Sequence, residues 1–320
     1  MKKFISVLLC VVLLTSLLVG CGSKTSETAK SNQLKIITTM FPEYDWLSNI
    51  TKDVDNVELT MLLDSGVDLH SYQPTAEDIL NISTCDVFVY VGGESNQWID
   101  DVIKDKDILA INLLSELGNQ AKEEEVVEGM QAEDEKDGEE KTAYDEHVWL
   151  SLKNAETLCQ VISDKLSEAD SQHKASYQAN TKAYIEQLKE LDSRYQSECE
   201  SAKYDTLIFG DRFPFRYLTD DYHIKYYAAF AGCSAETEAS FETIKFLSDK
   251  LTQLQLPAVM VIDDSNQKIA KTVISTSDNK DAQILSLNTM QSSTLKNYNK
   301  GETYLSIMES NLKVLSKALN

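Results

Sequence analysis

Apolar residues in this chain come in short β-branched runs, most of them followed by a stretch with helical spacing. "LKIITTM" (34–40) precedes "PEYDWLSNI", and "VELTMLL" (57–63) precedes a glycine turn and "TAEDILNI". "CDVFVYVG" (85–92) precedes "NQWIDDVI", and "ILAINL" (108–113) closes the set. After a break the theme returns with "DTLIFGD" (205–211), "IKYYAAF" (224–230), "AVMVIDD" (258–264) and "AQILSLN" (282–288). Strands that are apolar on both faces and alternate with helices predict mostly parallel sheets flanked by helices. Two such sets predict an α/β protein of two lobes, residues 34–170 and 203–320. Between them, residues 171–202 contain no glycine or proline, and Tyr177, Tyr184, Leu188, Leu191 and Tyr195 recur at helical spacing. This predicts one long amphipathic helix of about 40 Å whose aromatic stripe is core packing. Such a helix joins the lobes as a rigid link, unlike a Gly/Ser hinge.

The first residues break the pattern. Met1-Lys2-Lys3 is a basic head, and Phe4 to Val19 is an almost unbroken apolar run, too short for a comfortable membrane span. Residues 1–20 therefore read as a secretory signal. Leu18-Val19-Gly20-Cys21 resembles a bacterial lipobox, which implies cleavage before Cys21 and lipid on its sulfur. The alternative is an uncleaved N-terminal anchor. Two or more acyl chains hold a protein at a bilayer, so the expected location is the extracytoplasmic face of the bacterial cell membrane. Residues 21–33 are polar and unpatterned and read as a flexible tether.

About 290 residues remain beyond the tether, enough for two domains with their own cores. The formal net charge of −22 excludes nucleic acid as a partner, since phosphates require a basic face. Much of that charge is local: Ala121 to Glu146 holds twelve acids against three lysines. Segment 119–146, nearly devoid of apolar residues up to Ala143, is expected to be a mobile acidic loop. It reads either as a solvated charge run or as a weak collector of cations. Of the cysteines that would remain after processing, Cys85, Cys159, Cys199 and Cys233, no two form a CxxC pair. Disulfides and buried free thiols both remain open.

Only four histidines occur in the chain. His70 lies in "SGVDLHSYQPTAEDI", past the second predicted strand and just before a helix with Thr75 as N-cap. Ligands bind open α/β sheets at the carboxyl ends of their strands. His147 lies in "YDEHVWLSL", where Asp145 or Glu146 can accept the second ring N–H, as a metal-bound histidine requires. Taken alone, either histidine is more often a satisfied polar residue than a ligand. His173 opens the long helix and His223 follows an acidic helix end, where a cation suits the dipole.

"GVDLHSYQPTAEDI" and "YDEHVWLSLKNA" resemble the two most recognisable segments of the zinc and manganese solute-binding lipoproteins of ABC importers. The likeness extends through the lipobox, "TTMFPEYDW", "GGESNQWID", the charged loop, the long helix and "AETEAS". It implies two α/β lobes around a metal cleft and a monomer that delivers its ion to an ABC transporter permease. It also implies that His70 and His147 are metal ligands of the first lobe. The family's third ligand, His or Glu, falls at Arg212 here, and a guanidinium cannot ligate a cation. The usual fourth ligand, an Asp, falls at Asn288, whose amide oxygen brings no charge. Asp211 is the nearest replacement carboxylate, or else an ordinary partner of Arg212. Glu43, past the first strand, is placed to pair with Arg212 across the cleft.

Two imidazoles with few carboxylates favour Zn²⁺, with Mn²⁺ second. A metal-dependent surface adhesin is a further alternative. A zinc hydrolase is disfavoured: no HExxH, GxSxG or P-loop occurs, and the chain is expected not to be an enzyme.

Overall fold

A computed structural model describes residues 33–131, 143–234 and 238–320. The signal segment, Cys21 and the tether up to residue 32 lie outside the described residues, as do residues 132–142 of the acidic segment. Among the described residues no helix is long and apolar enough to cross a membrane.

The first half alternates β1 (Leu34–Thr38), α1 (Phe41–Ile50), β2 (Val57–Met61), α2 (Ala76–Ser83), β3 (Val87–Tyr90), α3 (Gln97–Ile103), β4 (Leu109–Asn112) and α4 (Leu113–Leu117). Two long helices follow, α5 (Leu152–Ala169) and α6 (Lys174–Ser201). The second half runs β5 (Thr206–Phe213), α7 (Arg216–Asp221), β6 (Lys225–Ala231), α8 (Phe241–Leu254) and β7 (Ala258–Ile262). It closes with α9 (Lys268–Thr276), β8 (Gln283–Leu287), α10 (Leu295–Tyr298) and α11 (Tyr304–Leu319). The sheets order as β2-β1-β3-β4 and β6-β5-β7-β8, and every neighbouring pair is parallel. All eight expected strands are present. β5 runs further than its apolar run suggests, to Phe213, and its pairing with β6 slips between Phe209 and Arg212. Arg212 thus lies within the strand instead of in the loop beyond it.

The helix starts follow local chemistry. Thr75 accepts the Asp78 N–H while the Asp78 carboxylate accepts the Thr75 N–H at 2.8 Å, a reciprocal cap on α2. Ser151, Ser240 and Thr303 likewise accept a backbone N–H at the starts of α5, α8 and α11. The long helix buries the expected stripe: Tyr177, Tyr184, Leu188, Leu191 and Tyr195 all face inward, joined by Thr181.

One hydrophobic core runs through both halves, from Ile36 and Trp46 through Leu188 and Leu191 to Phe209, Met260 and Leu287. α11 belongs to it: the Tyr304 ring meets Trp46 edge-on and its hydroxyl donates to the Trp149 carbonyl at 2.7 Å. Trp149 in turn donates its indole N–H to the Thr289 carbonyl at 2.9 Å, across to the second half.

The acidic segment departs from expectation. Its described parts are docked. Glu124 N–H donates to the Ala143 carbonyl and Asp145 N–H to the Lys122 carbonyl, forming a short antiparallel clasp. Met130 is buried, and Gln131 N–H donates to the Ala229 carbonyl at 2.9 Å. Glu125 pairs with Arg216, Lys122 with Asp220, and Glu128 with Lys250. Ala121, Val127 and Met130 pack on the core while Val126 stays exposed, and cations of the second half meet Glu125 and Glu128. Composition alone does not show that a neighbouring surface supplies both.

Candidate metal centre

His70 lies in a short 3₁₀ turn, Leu69–Ser71, that follows β2. Asp68 caps this turn by accepting the His70 N–H at 2.9 Å. Asp68 also accepts from Arg212 Nη2 at 2.9 Å, tying the histidine loop to β5 of the second sheet. Burial alone would raise the Asp68 carboxyl, but Arg212 and His70 outweigh it and hold it below the usual carboxylate range. His147 is fully buried at the start of the turn leading into α5.

The two rings converge. His70 Nε2 and His147 Nε2 lie 3.2 Å apart. On the far side, His147 Nδ1 is 3.0 Å from Asp145 Oδ1. An ionised carboxylate only accepts, so His147 donates from Nδ1 and turns its Nε2 lone pair toward His70. His70 Nδ1 lies 2.8 Å from Ser95 Oγ and 3.6 Å from Glu146 Oε2. With both ring protons on the outer nitrogens, two lone pairs face each other at close range, an arrangement that a shared cation satisfies. Two nitrogens bound to one tetrahedral zinc at about 2.0–2.1 Å stand roughly 3.3 Å apart. The spacing fits.

The neighbouring acids divide their work differently from expectation. Asp145 orients His147, whereas Glu146 swings to the His70 side, where Oε1 accepts the Ser95 N–H at 2.9 Å. Glu146 Oε2 is buried without a hydrogen-bond partner, an unsatisfied acceptor beside the His70 ring. Burial raises the Glu146 carboxyl above its ordinary value. Burial also lowers the His70 imidazole, and His147 lowers it further against the pull of Asp68, so the neutral ring that a metal needs is favoured. Gly93 makes room for this acid: its φ is +79°, and a Cβ there would lie 2.4 Å from Glu146 Oε1.

The other expected site residues are not brought to the histidine pair. Asp211 is engaged by the Ser265 hydroxyl and by the Arg212 N–H. Asn288 Oδ1 accepts the Met290 N–H at 2.7 Å, and its backbone exchanges two hydrogen bonds with the Asn311 amide. Glu43 does not reach Arg212. It turns back on its own helix and accepts from Thr39 N, Thr39 Oγ and Met40 N at 2.8, 2.8 and 2.9 Å. Asp68 takes Arg212 instead.

The structure adds Cys233, just past β6. A ring nitrogen of His70, one of His147 and Cys233 Sγ all lie within 4.8 Å of one another, the group of such donors found among the described residues. Cys85, Cys159, Cys199 and Cys233 are all free thiols. Burial, then Glu124, Asp145 and Glu146, push the Cys233 thiol above its ordinary value. The sequence clue was its place at the carboxyl end of a second-lobe strand, the same address that singled out His70. Beside the group a cleft of about 450 Å³ opens between the halves, lined by Gly66 and Asp68 on one side and by Asp211, Arg212, Asp263 and Ser265 on the other.

Residues 36–318 match the zinc-uptake complex component A periplasmic family, ZnuA. The chain belongs to this family. The zinc-binding lipoprotein AdcA of Streptococcus pneumoniae is 31% identical over 306 residues, 94% of this chain and 58% of AdcA. The chain thus spans somewhat over half the length of that relative. The high-affinity zinc uptake system protein ZnuA of Bacillus subtilis is 28% identical over 310 residues, covering 95% of this chain and 94% of that protein. The crystal structure of the Zn(II)-bound ZnuA-like domain of S. pneumoniae AdcA aligns with a TM-score of 0.70 at 25% identity, over 90% of this chain and 99% of that domain. The two parallel sheets with a long helix between them are therefore the architecture of the ZnuA family. The family is one of zinc-uptake components, which gives the hydrolase reading no support.

Proposed function

We propose that this chain captures Zn²⁺ between its two sheets, through His70 and His147, and delivers the ion to an ABC transporter permease. The observation that carries this reading is the 3.2 Å approach of the two Nε2 atoms, each backed by an acceptor on its other nitrogen. Family membership supports it, as do the zinc named for AdcA and B. subtilis ZnuA and the Zn(II)-bound AdcA domain. Zinc is preferred to Mn²⁺, because two imidazoles suit a borderline-soft ion and the nearest carboxylates, of Asp145 and Glu146, face the outer ring nitrogens. The sequence of residues 1–21 supports anchoring outside the cell membrane through lipid on Cys21, with the protein acting as a monomer.

The test is zinc titration in competition with a chromophoric chelator. The purified protein is expected to bind zinc tightly, and the double variant His70→Ala/His147→Ala to lose tight binding. Sub-micromolar affinity retained in the double variant would reject the site.

A further inference from the structure

The geometry points to Cys233 as the third protein ligand, a thiolate completing a His₂Cys site for a thiophilic divalent cation. This deepens the zinc reading above and rests on it.

The positions where a third oxygen or nitrogen donor is expected are spent. Arg212 is a cation held by Asp68, Asp211 is held by Ser265, and Asn288 closes its own turn. Cys233 is held toward the rings from two directions. Its N–H donates to Glu124 Oε1 at 3.0 Å, which fixes the turn after β6 to the acidic segment. The preceding Gly232 lets that turn approach: a Cβ there would stand 2.8 Å from the Phe213 carbonyl oxygen and 3.1 Å from His147 Cε1. Sγ lies within 4.8 Å of both imidazoles, and sulfur and nitrogen on one tetrahedral zinc stand roughly 3.6 Å apart, so about an ångström of closure suffices.

The binding step is an exchange. The S–H bond breaks heterolytically, its electron pair forms the metal–sulfur bond, and the proton leaves to solvent; no redox change occurs. Two neutral imidazoles and one thiolate leave a net +1 on a divalent ion, with the fourth position for water. Thiolate selects Zn²⁺ or Cd²⁺ over Mn²⁺, a discrimination that a carboxylate in this position would not provide.

X-ray absorption on the zinc-loaded wild-type protein decides the matter. One sulfur at about 2.3 Å beside nitrogen and oxygen at about 2.0–2.1 Å is expected. The Co²⁺-substituted protein should show a sulfur-to-cobalt charge-transfer band, lost in Cys233→Ser and kept in Cys199→Ser. Zinc affinity of Cys233→Ser should drop at least about tenfold, since loss of even an indirect partner costs that much. Should Cys233→Ser fail to fold, alkylation of the wild-type protein serves: zinc should shield Cys233 and leave Cys199 reactive. Tight zinc binding with only nitrogen and oxygen neighbours would overturn the thiolate and leave the zinc reading standing. No zinc binding by the wild-type chain would overturn both.

Discussion

The side chains around His70 and His147 are held by hydrogen bonds that set which nitrogen faces the cleft. Asp145 accepts from both the backbone N–H and Nδ1 of His147, at 2.8 and 3.0 Å, so one carboxylate fixes the position and the tautomer together. Asp145→Asn keeps the shape but removes the charge that favours a proton on Nδ1. Zinc affinity is expected to fall about 10- to 100-fold without change in far-UV circular dichroism; equal affinity would show that the ring needs no such partner. Glu43 makes a different point. Burial pushes its carboxyl from an ordinary 4.5 up to about 8, against three donors that favour the charged form. A carboxyl raised by folding binds more protons in the folded than in the unfolded chain between those values, so its contribution to stability is full below 4.5 and fades as pH rises through about 8. Glu43→Gln keeps an acceptor for the Thr39 and Met40 N–H groups. Its denaturation midpoint should therefore vary less with pH across that window than the wild type's, and an identical slope would place the titration elsewhere.

Helices and strands were the most legible part of the chain. The apolar runs marked all eight strands, and Tyr177 to Tyr195 marked the buried face of α6, because periodicity reports directly on which side an element buries. What the sequence hid depends on contacts distant along the chain. Arg212 could not be matched to Asp68, because the two residues lie 144 positions apart in the chain. Cys233 was weighed as a disulfide partner or a buried free thiol and not as a ligand, since nothing adjacent in sequence ties residue 233 to residues 70 and 147. The docking of the described parts of the acidic segment was hidden for the same reason: Glu125 and Glu128 are answered by Arg216 and Lys250, which lie about a hundred residues further on. A docked segment makes a prediction that a loose one does not. Met130→Ala, which removes a buried side chain from the core edge, is expected to cost about 2 kcal/mol in chemical denaturation. No loss would return the segment to a solvated spacer.

Across the whole molecule, the continuous core limits how the two sheets can move. The side chains of α6 and α11 pack on both halves, and the Trp149–Thr289 and Tyr304–Trp149 bonds are buried where a hinge would have to open. Opening would expose apolar surface at about 25 cal/mol per Å², a steep cost for any sizeable rotation. Zinc capture is therefore expected to rearrange the loops around His70 and Cys233 while the sheets stay in place. Small-angle scattering should give the same radius of gyration with and without zinc, and a clear contraction on loading would point to closing lobes. Trp149 offers one more use. Its ring is buried and its centroid lies 5.3 Å from that of His147, so it is a lamp hung beside the ion's berth. A cation with an open d shell held by His147 would dim its ultraviolet emission and zinc, with its filled shell, would not, which lets displacement of one by the other be followed by light alone.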